Sequence, residues 1–414
     1  MPKVSDQWLR DILDALYQRR TVTRAEIVRA TGLNPASVSL SLQHLLQCGT
    51  VLKIGELESK GGRKREVLKL NEDAGYFVAV DLEGSRTRFA LTNFIGDIRY
   101  RWEEDIEAGK KLSVRKIIEG IERILHNLDF RQRSRVLAVG VSHPGIVDTA
   151  GRITAVNLGW HRLPLLAQLH KSIDAPIFLE DAHRTCIMAE YCLGIAQNRN
   201  NSIYVMIGNG IGIGGFIDGK LLCGRDGMAG ELGHITIDPN ARDRCNCGRK
   251  GCLEAIASSP NIVRQYFEKT GRAGRTPTGA RITEVFEKAR QKDPAALEVL
   301  DRAARSLGLA LSHLTNLLNP ELIILGGDVI NAEDLILGRI KEEMSHHTLP
   351  DLLEGLTVTV SRLGLDIGLK GASSLAFRNS LADSTLLKKI CSPMVDMHPP
   401  LVVEEARPAA RSVR

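Results

Sequence analysis

The spacing of apolar residues predicts helices near the N-terminus and alternating strands and helices farther along the chain. Residues 5–16 have apolar side chains at helical spacing, which predicts an amphipathic helix. Two more helices are predicted over residues 24–30 and 35–46, on either side of a turn that contains Gly32. Two helices joined by a tight turn predict a helix-turn-helix.

The start signals of these helices support that assignment. Thr23 and Glu26 have the spacing of a capping box, and Asn34 followed by Pro35 is a favourable helix start. A hairpin follows over residues 51–70, with a basic, glycine-rich tip. Residues 1–71 are therefore predicted to form a winged helix-turn-helix domain.

The polar residues of this domain predict contacts with duplex DNA. A recognition helix presents its N-terminal residues to base edges in the major groove, and a basic wing tip contacts the backbone or the minor groove. The candidate DNA contacts are Asn34, Ser37, Ser39, Gln43, Arg63, Lys64 and Arg65. The alternative is a three-helix protein-interaction module with a solvated basic hairpin.

Charge favours DNA over that alternative. Residues 1–71 hold 12 Lys and Arg against 7 Asp and Glu, which gives +5 of the formal net charge of +6. A basic N-terminal segment on a nearly neutral body is typical of a nucleic-acid-binding unit.

From residue 72 onward, strands alternate with helices, which predicts an α/β body. We expect a first lobe over residues 72–195 and a second over 196–378. Residues 379–414, with several prolines, are expected to be a flexible C-terminal tail.

A cluster of metal-ligand residues lies in the second predicted lobe. Three thiols and one imidazole suffice for a closed tetrahedral zinc site, and the intervening Gly248 and Gly251 allow a tight loop. The predicted ligands are His234, Cys245, Cys247 and Cys252. Structural zinc is therefore the expected cofactor, and it would hold Glu231 and Glu254 in fixed positions.

Composition narrows the class of protein. Aromatic residues make up 4% of the chain, which disfavours stacking platforms for single-stranded nucleic acid. No apolar run is long enough to cross a bilayer, and the N-terminus lacks the core of a signal peptide. A cytoplasmic protein with reduced cysteines and no membrane partner is expected.

Several spaced motifs resemble the ROK family of repressors, open reading frames and sugar kinases. Residues 230–254 resemble its ExGH and CxCGxxGCxE signature, residues 207–215 its second phosphate loop, and residues 316–327 its nucleotide-side strand and turn. The winged domain resembles that of the repressor branch, which includes xylose- and N-acetylglucosamine-type sugar repressors. The resemblance implies a two-lobed, actin-like (ribonuclease-H-like) ATPase and sugar-kinase fold, a sugar site between the lobes, and a homodimer or homotetramer.

The resemblance also implies ligand contacts in the body. By position in the motifs, these are Asn157, Glu180, Asp181, Glu231, His234 and Glu254. Asp181 aligns with the general base of the family's kinases, and its simpler interpretation is a helix N-cap. Glu180 stands where a sugar-binding asparagine is usual, so it favours a cationic partner and leaves open another sugar, an amino sugar or no sugar. Glu254 has the alternative interpretation of a helix N-terminal charge.

One departure from the family pattern argues against kinase activity. The first phosphate hairpin of the kinases reads DxGGT, and here Glu83 replaces a glycine and adds a carboxylate beside the polyphosphate position. We therefore expect a sugar-responsive DNA-binding regulator, most simply a repressor of carbohydrate metabolism genes, that binds operator DNA and a sugar or sugar phosphate. The alternatives are an ATP-dependent sugar kinase with an appended DNA-binding domain, and a regulator controlled by a protein partner without sugar.

Overall fold

The computed structural model describes residues 4–57, 65–83, 86–106, 112–148, 151–155, 158–271 and 281–393. The chain divides into two compact units. The first contains Met1–Val141, Leu165–Leu179 and Ala372–Arg414, and the second contains Ser142–Pro164 and Glu180–Gly371. Among the described residues, no helix has the length and apolarity needed to span a membrane.

The N-terminal domain has the predicted order of helices and strands. Its elements are α1 (Asp6–Arg19), β1 (Thr21–Thr23), α2 (Arg24–Thr31), α3 (Pro35–Gln47), β2 (Val51–Leu57) and β3 (Arg65–Leu70). The three strands form one antiparallel sheet in the order β1-β3-β2. Residues 4–57 and 65–70 are called the head below.

Local hydrogen bonds explain where the head's helices begin. The Thr23 backbone N–H donates to Glu26 Oε2 over 2.7 Å and the Glu26 N–H donates to Thr23 Oγ1, which completes the predicted capping box. Asn34 Oδ1 accepts from the Ser37 backbone N–H over 2.8 Å at the start of α3. Gly32 takes φ 67°, a left-handed conformation that ends α2 and makes the turn.

The middle of the chain begins with the predicted hairpin. Its elements are β4 (Tyr76–Leu82), β5 (Arg86–Asn93), β6 (Ile98–Asp105), α4 (Val114–His126), α5 (Phe130–Ser134), β7 (Val136–His143), β8 (Ile146–Val147), β9 (Ile153–Ala155), β10 (Trp160–Leu163), α6 (Leu165–Leu169) and β11 (Ile177–Asp181). A five-stranded sheet has the order β11-β7-β4-β5-β6. Helix α4 packs at Gly120 directly on Phe89, since a Cβ there would lie 2.3 Å from the ring.

A second five-stranded sheet, in the order β14-β13-β12-β15-β16, is the centre of the second unit. The remaining elements are α7 (Ala182–Leu193), β12 (Ser202–Ile207), β13 (Ile211–Ile217), β14 (Lys220–Leu221), α8 (Leu253–Ala257), α9 (Ser259–Lys269), α10 (Ile282–Arg290), α11 (Pro294–Leu318), β15 (Leu322–Gly327), α12 (Glu333–His347), α13 (Pro350–Leu353), β16 (Thr357–Val360), α14 (Ile367–Ala382) and α15 (Ser384–Ile390). Strands β12 and β15 are parallel, whereas β12 and β13 form an antiparallel hairpin. The apolar core packs the 25-residue helix α11 against this sheet.

The C-terminal segment differs from the predicted flexible tail. Residues 379–382 complete α14, and α15 follows at once with Leu386, Leu387 and Ile390 buried. Thr50 Oγ1 of the head donates to the Ile390 carbonyl over 2.7 Å. Burial of apolar side chains is what orders this segment. Residues 394–414 of the predicted tail lie outside the described residues.

Helix α14 also contacts the head within the first unit. The rings of Tyr17 and Phe377 stack with centroids 3.8 Å apart. Arg378 Nη1 lies 3.5 Å from Asp14 Oδ1. Residues 372–393 thus share a unit with residues 4–57, which the predicted boundaries at 71/72, 195/196 and 378/379 did not anticipate.

Candidate functional site

The four predicted metal ligands converge. The ligand atoms of His234, Cys245, Cys247 and Cys252 all lie within 4.8 Å of one another. The Sγ atoms of Cys247 and Cys252 are 3.7 Å apart, and Cys245 Sγ is 3.5 Å from His234 Nδ1. With the usual bond lengths, a tetrahedral zinc ion sets sulfur–sulfur edges of about 3.8 Å and sulfur–nitrogen edges of about 3.6 Å. These two distances therefore fit a zinc ion, and the cluster could hold a metal.

Glycines allow the loop to close around the ligands. Gly251 has φ 70°, and a Cβ there would lie 1.9 Å from the Asp238 carbonyl oxygen. The Cys245 N–H donates to the Arg249 carbonyl over 2.9 Å, which folds the segment back on itself. A larger residue at 251 would separate Cys252 from the other ligands.

The thiols differ in their environments. Burial raises the pKa of Cys245 to about 12, whereas hydrogen bonds from the backbone and side chain of Arg249 lower the pKa of the exposed Cys247 to about 6. Only the thiolate binds a metal ion. Cys247 is thus already favoured as a thiolate, and Cys245 needs a cation to become one.

Asp243 joins this loop to two helices of the second unit. Its carboxylate accepts from Arg302 Nη2 on α11 over 2.6 Å and from Arg264 Nη2 on α9 over 3.0 Å. The Gly251 N–H donates to the Asp243 carbonyl over 3.1 Å. The Asp243 side chain is only 12% exposed, so these bonds anchor the loop at one largely buried point, whereas residues 246–250 of the loop are exposed.

Two carboxylates lie beside the cluster. Glu231 Oε2 is 3.7 Å from His234 Nε2. Glu254 Oε1 lies 4.0 Å from Cys245 Sγ, and its other oxygen accepts from the Ile211 N–H over 3.1 Å. Glu254 is also in the first turn of α8, as its alternative interpretation expected. The structure therefore brings Glu231 and Glu254 next to the metal ligands.

The start of α7 holds the candidate base. Asp181 Oδ1 accepts from the backbone N–H of His183 and of Arg184, so Asp181 is the N-cap. The same oxygen lies 2.9 Å from His183 Nδ1. Burial alone would raise the pKa of Asp181, but the charge and hydrogen bond of His183 and the charge of Arg184 outweigh it and lower the pKa to about 2. A carboxylate with so low a pKa is a weak general base.

Glu180 already has a cationic partner in the protein. Arg184 donates from Nε and Nη2 to Glu180 Oε1 over 2.7 and 2.6 Å. We expected a cationic ligand for Glu180 as one possibility, and the structure supplies the cation internally. Residues 180 and 184 are four positions apart in the sequence, but Glu180 lies in β11 and Arg184 in α7, so the helical spacing rule did not identify this pair.

His143 is a site residue that sequence reasoning missed. It ends β7, its side chain is fully buried, and neither ring nitrogen has a hydrogen-bond partner among the described residues. Burial lowers the pKa of His143 to about 4, against the attraction of the nearby Asp181. The imidazole is therefore neutral at neutral pH, and its donor and acceptor are both unused.

The first phosphate hairpin is internally paired. In the first unit, Arg88 Nη2 bridges Asp81, at 2.7 Å, and Glu83. Burial and the charge of Asp81 raise the pKa of Glu83. Because Arg88 pairs with both carboxylates, it offsets much of the repulsion that we expected Glu83 to exert on a polyphosphate. Residues 84 and 85 lie outside the described residues.

A further carboxylate, which we did not predict, lies beside the second phosphate loop. Asp328 follows Gly327 at the end of β15 and accepts from Ser259 Oγ over 2.6 Å. A Cβ on Gly208, in that loop, would lie 3.7 Å from Asp328 Oδ2. The Gly208 carbonyl accepts from the Ser259 N–H over 2.9 Å. Each of the two phosphate loops therefore has a protein carboxylate next to it.

The exposed side of α3 differs from the predicted one at a single position. Asn34, Ser39 and Gln43 are exposed, but Ser37 is 6% exposed and faces the head's core. The period of the helix places Ala36 rather than Ser37 on the open side. Arg65 is exposed at the start of β3, whereas Arg63 and Lys64 lie outside the described residues, as does Asn157.

Comparison with known proteins identifies the family. A sequence model of the ROK family matches residues 77–379, well over half of the chain. The chain belongs to the ROK family.

Both repressors and kinases of the ROK family resemble this chain. A xylose repressor of Bacillus spizizenii is 28% identical over 373 residues, covering 89% of this chain and 94% of the repressor. A glucokinase of Halalkalibacterium halodurans is 31% identical over 312 residues, covering 72% of this chain and 94% of the enzyme. A crystal structure of a ROK family transcriptional regulator, a homolog of the E. coli MLC protein, aligns with a TM-score of 0.76 and 26% identity over 93% of this chain and 99% of that one.

The extent of these matches separates the two ROK classes. Coverage of 89% or 93% of 414 residues is more than the body alone can supply, so the repressor and regulator matches include at least part of the head. The glucokinase match is about as long as the body. The fold is therefore that of a ROK body, with its actin-like sugar-kinase architecture, preceded by the helix-turn-helix of the regulators.

Proposed function

We propose that this protein is a sugar-responsive DNA-binding transcriptional regulator that represses carbohydrate metabolism genes. The observation that carries the proposal is the presence, in one chain, of a head with an exposed recognition helix and a ROK body. The alignment with a xylose repressor over 89% of the chain supports it.

The head supplies the DNA contacts. Helix α3 would enter the major groove with Asn34, Ser39 and Gln43 towards the bases, and Ala36 is an additional exposed position. Gln43 can pair with adenine through its amide, and Ala36 can contact a thymine methyl group. Arg63, Lys64 and Arg65 of the wing would contact phosphates. Ser37 is omitted because it is buried.

The body supplies the effector contacts. Glu180, Asp181, Glu231, His234 and Glu254 would bind sugar hydroxyls, with Asn157 as a further contact. Carboxylate oxygens and an imidazole suit hydroxyl donors because each hydroxyl can donate to one acceptor. His143 lies near Asp181, and its ring nitrogens have no hydrogen-bond partner in the part of the chain that the structure describes, so it joins this set as a neutral donor and acceptor.

Structural zinc is the proposed cofactor. His234, Cys245, Cys247 and Cys252 would hold it, and the ion would supply a fixed cationic centre that keeps the thiols deprotonated. Asp243 would hold the loop in position for the metal. His234 would then keep Nε2 directed towards Glu231, so that metal binding orders an effector contact.

Kinase activity is the second candidate, favoured by the match to a glucokinase and by retention of Asp181. Three features weigh against it. Glu83 replaces a phosphate-loop glycine, although Arg88 offsets its charge. Asp328 lies beside the second phosphate loop, and the low pKa of Asp181 makes it a weak base.

The decisive experiment selects duplexes from a random DNA library with the zinc-loaded full chain and measures binding of the selected duplex by fluorescence anisotropy. We expect tight binding that at least one sugar of a hexose, pentose and amino-sugar panel weakens. Gln43→Ala should weaken binding of the selected duplex by about tenfold. Ser37→Ala, a buried position in the same helix, is the matched control for direct contact.

A parallel assay of ADP release with the same sugars tests the alternative. Sugar-dependent turnover that Asp181→Asn abolishes, together with no selected duplex, would make the protein a kinase. If a duplex is selected but no sugar alters its binding, the result would favour a regulator that is controlled by a protein partner. Light scattering of the DNA complex should give an even number of subunits, since two heads on a two-fold operator require it.

A further inference from the structure

Glu180 and Arg184 form a largely buried ion pair at the start of α7. Arg184 donates twice to Glu180 Oε1, over 2.7 and 2.6 Å. The two side chains are 19% and 8% exposed, respectively. Because both charges are mostly removed from water, each needs the other, and the pair as a whole is neutral.

Arg184 also contacts the loop that leads to the metal cluster. Its Nη1 donates to the Gly227 carbonyl over 2.9 Å. Gly227 lies three residues before Gly230, where the segment that carries Glu231 and His234 begins. The guanidinium is therefore held by three hydrogen bonds, and it cannot turn away from Glu180 without breaking them.

Glu180 is left with one oxygen for a ligand. Its Oε1 accepts from Arg184 and also from the Asp181 N–H over 2.9 Å. In the part of the chain that the structure describes, no protein group donates to Oε2. That oxygen can accept a hydrogen bond from a hydroxyl, but the charge of the carboxylate is already balanced by Arg184.

Two of the neighbouring carboxylates, those of Asp181 and Glu231, add little demand for a cation. Asp181 lies 2.9 Å from His183 Nδ1, and the resulting attraction raises the pKa of His183 even though burial opposes it. Glu231 is 55% exposed, so water screens its attraction for a ligand charge.

We propose that Arg184 takes the place of a ligand ammonium group beside Glu180 and so makes the effector site selective for an uncharged sugar over an amino sugar. This inference rests on the proposed function, since it treats Glu180 as an effector contact. Arg184 is a specificity-determining residue that acts through Glu180.

The test compares sugar affinities by calorimetry on the zinc-loaded full chain at about pH 6.5, where the amine of D-glucosamine is protonated. The uncharged probes are D-glucose, D-xylose and N-acetyl-D-glucosamine. We expect the wild type to bind at least one of them at least tenfold more tightly than D-glucosamine. Arg184→Met leaves Glu180 unbalanced, so the affinity ratio should move at least tenfold towards D-glucosamine.

Three further variants protect the test against misfolding and side effects. Glu180→Gln leaves Arg184 unbalanced and should move the ratio in the opposite direction, further against D-glucosamine. The double variant E180Q/R184M removes both charges and should return the ratio to within about threefold of the wild type. Arg152→Met breaks a more exposed pair with Asp148 at the same four-residue spacing and should leave the ratio unchanged.

The outcomes separate this inference from the proposed function. Equal or tighter binding of D-glucosamine by the wild type overturns the inference, and so does an unchanged ratio in both single variants. Suppose that a duplex is selected and that D-glucosamine binds the wild type, but no uncharged probe does. The proposed selectivity would then be wrong, whereas the proposed function as a sugar-responsive regulator would stand. If no sugar binds at all, the proposed function fails and takes this inference with it.

Discussion

The loop from Asp243 to Cys252 and the hairpin of β4 and β5 both carry ROK motifs, but their polar groups are arranged differently. The three cysteine sulfurs of the loop and a ring nitrogen of His234, which precedes the loop, lie within 4.8 Å of one another, at separations that suit a metal ion. In the hairpin, Arg88 bridges the carboxylates of Asp81 and Glu83, so the charges there are satisfied by the protein itself.

This difference suggests how a binding site can be retained or lost within one fold. A site that depends on an added ion keeps its ligands close together and needs a cation to stabilise them. A site whose charges are paired internally gains stability from that pairing and offers less to an outside ligand. The Glu180–Arg184 pair extends the second arrangement to the proposed effector contacts.

The largest expected effect is loss of the metal. Cys252→Ala removes a fully buried ligand, so the purified protein should fall from about one zinc per chain to almost none, with a large fall in melting temperature. Elemental analysis and thermal unfolding measure both. Cys223→Ala, outside the cluster, should keep its zinc. Full zinc content in the Cys252 variant would show that the loop does not bind zinc through Cys252, and the contrast with the hairpin would fail.

Breaking the internal pairing of the hairpin should have the next largest effect. Arg88→Met leaves Asp81 and Glu83 without their bridging cation, and we expect a loss of about 3 kcal/mol in the free energy of unfolding in urea. Arg86→Met is the control, since Arg86 is 43% exposed and 3.8 Å from Glu83, and should cost less than about 1 kcal/mol. An equal cost for both variants would contradict internal pairing at Arg88.

The buried His143 should make the free energy of unfolding depend on pH. Its pKa is lowered from 6.5 to about 4, so its stabilising effect is complete above pH 6.5 and is lost as the pH falls towards 4. This lowering of the pKa corresponds to a loss of about 3 kcal/mol in the free energy of unfolding at acid pH. His143→Leu should flatten the unfolding free energy between those pH values. His170→Leu, at the end of α6, should leave the slope unchanged.

The smallest expected effect tests how the loop is held for the metal. Asp243→Asn weakens the bonds to Arg264 and Arg302 and should lower zinc affinity by about tenfold. Competition with a chromophoric chelator measures this directly. Asp301→Asn, on the exposed side of α11, is the matched control because Asp301 also pairs with two arginines. Unchanged affinity in the Asp243 variant would show that the metal orders the loop unaided.

Much of the fold and the metal cluster could be predicted from the sequence because the responsible residues are close in the chain. The capping box of Thr23 and Glu26, the N-cap at Asn34 and the strand pattern of β4 and β5 are local, and the structure has them all. Three of the candidate metal ligands lie within eight residues, and the conformations of the intervening Gly248 and Gly251 close the loop. Short-range spacing was sufficient there, since the backbone itself brings these groups together.

Only the tertiary structure decided how the charged groups are paired and which residues face the solvent. It buried Ser37, gave Glu83 and Glu180 their arginine partners, placed Asp328 beside Gly208, left His143 without a hydrogen-bond partner among the described residues and ordered residues 384–390 against the head. Each depends on packing or on contacts across the chain, and the sequence alone does not show which of several oppositely charged neighbours a carboxylate will meet. The sequence thus determined the types of chemistry available to this protein, whereas the fold decided which charges remain free for a ligand, because pairing depends on distance and burial.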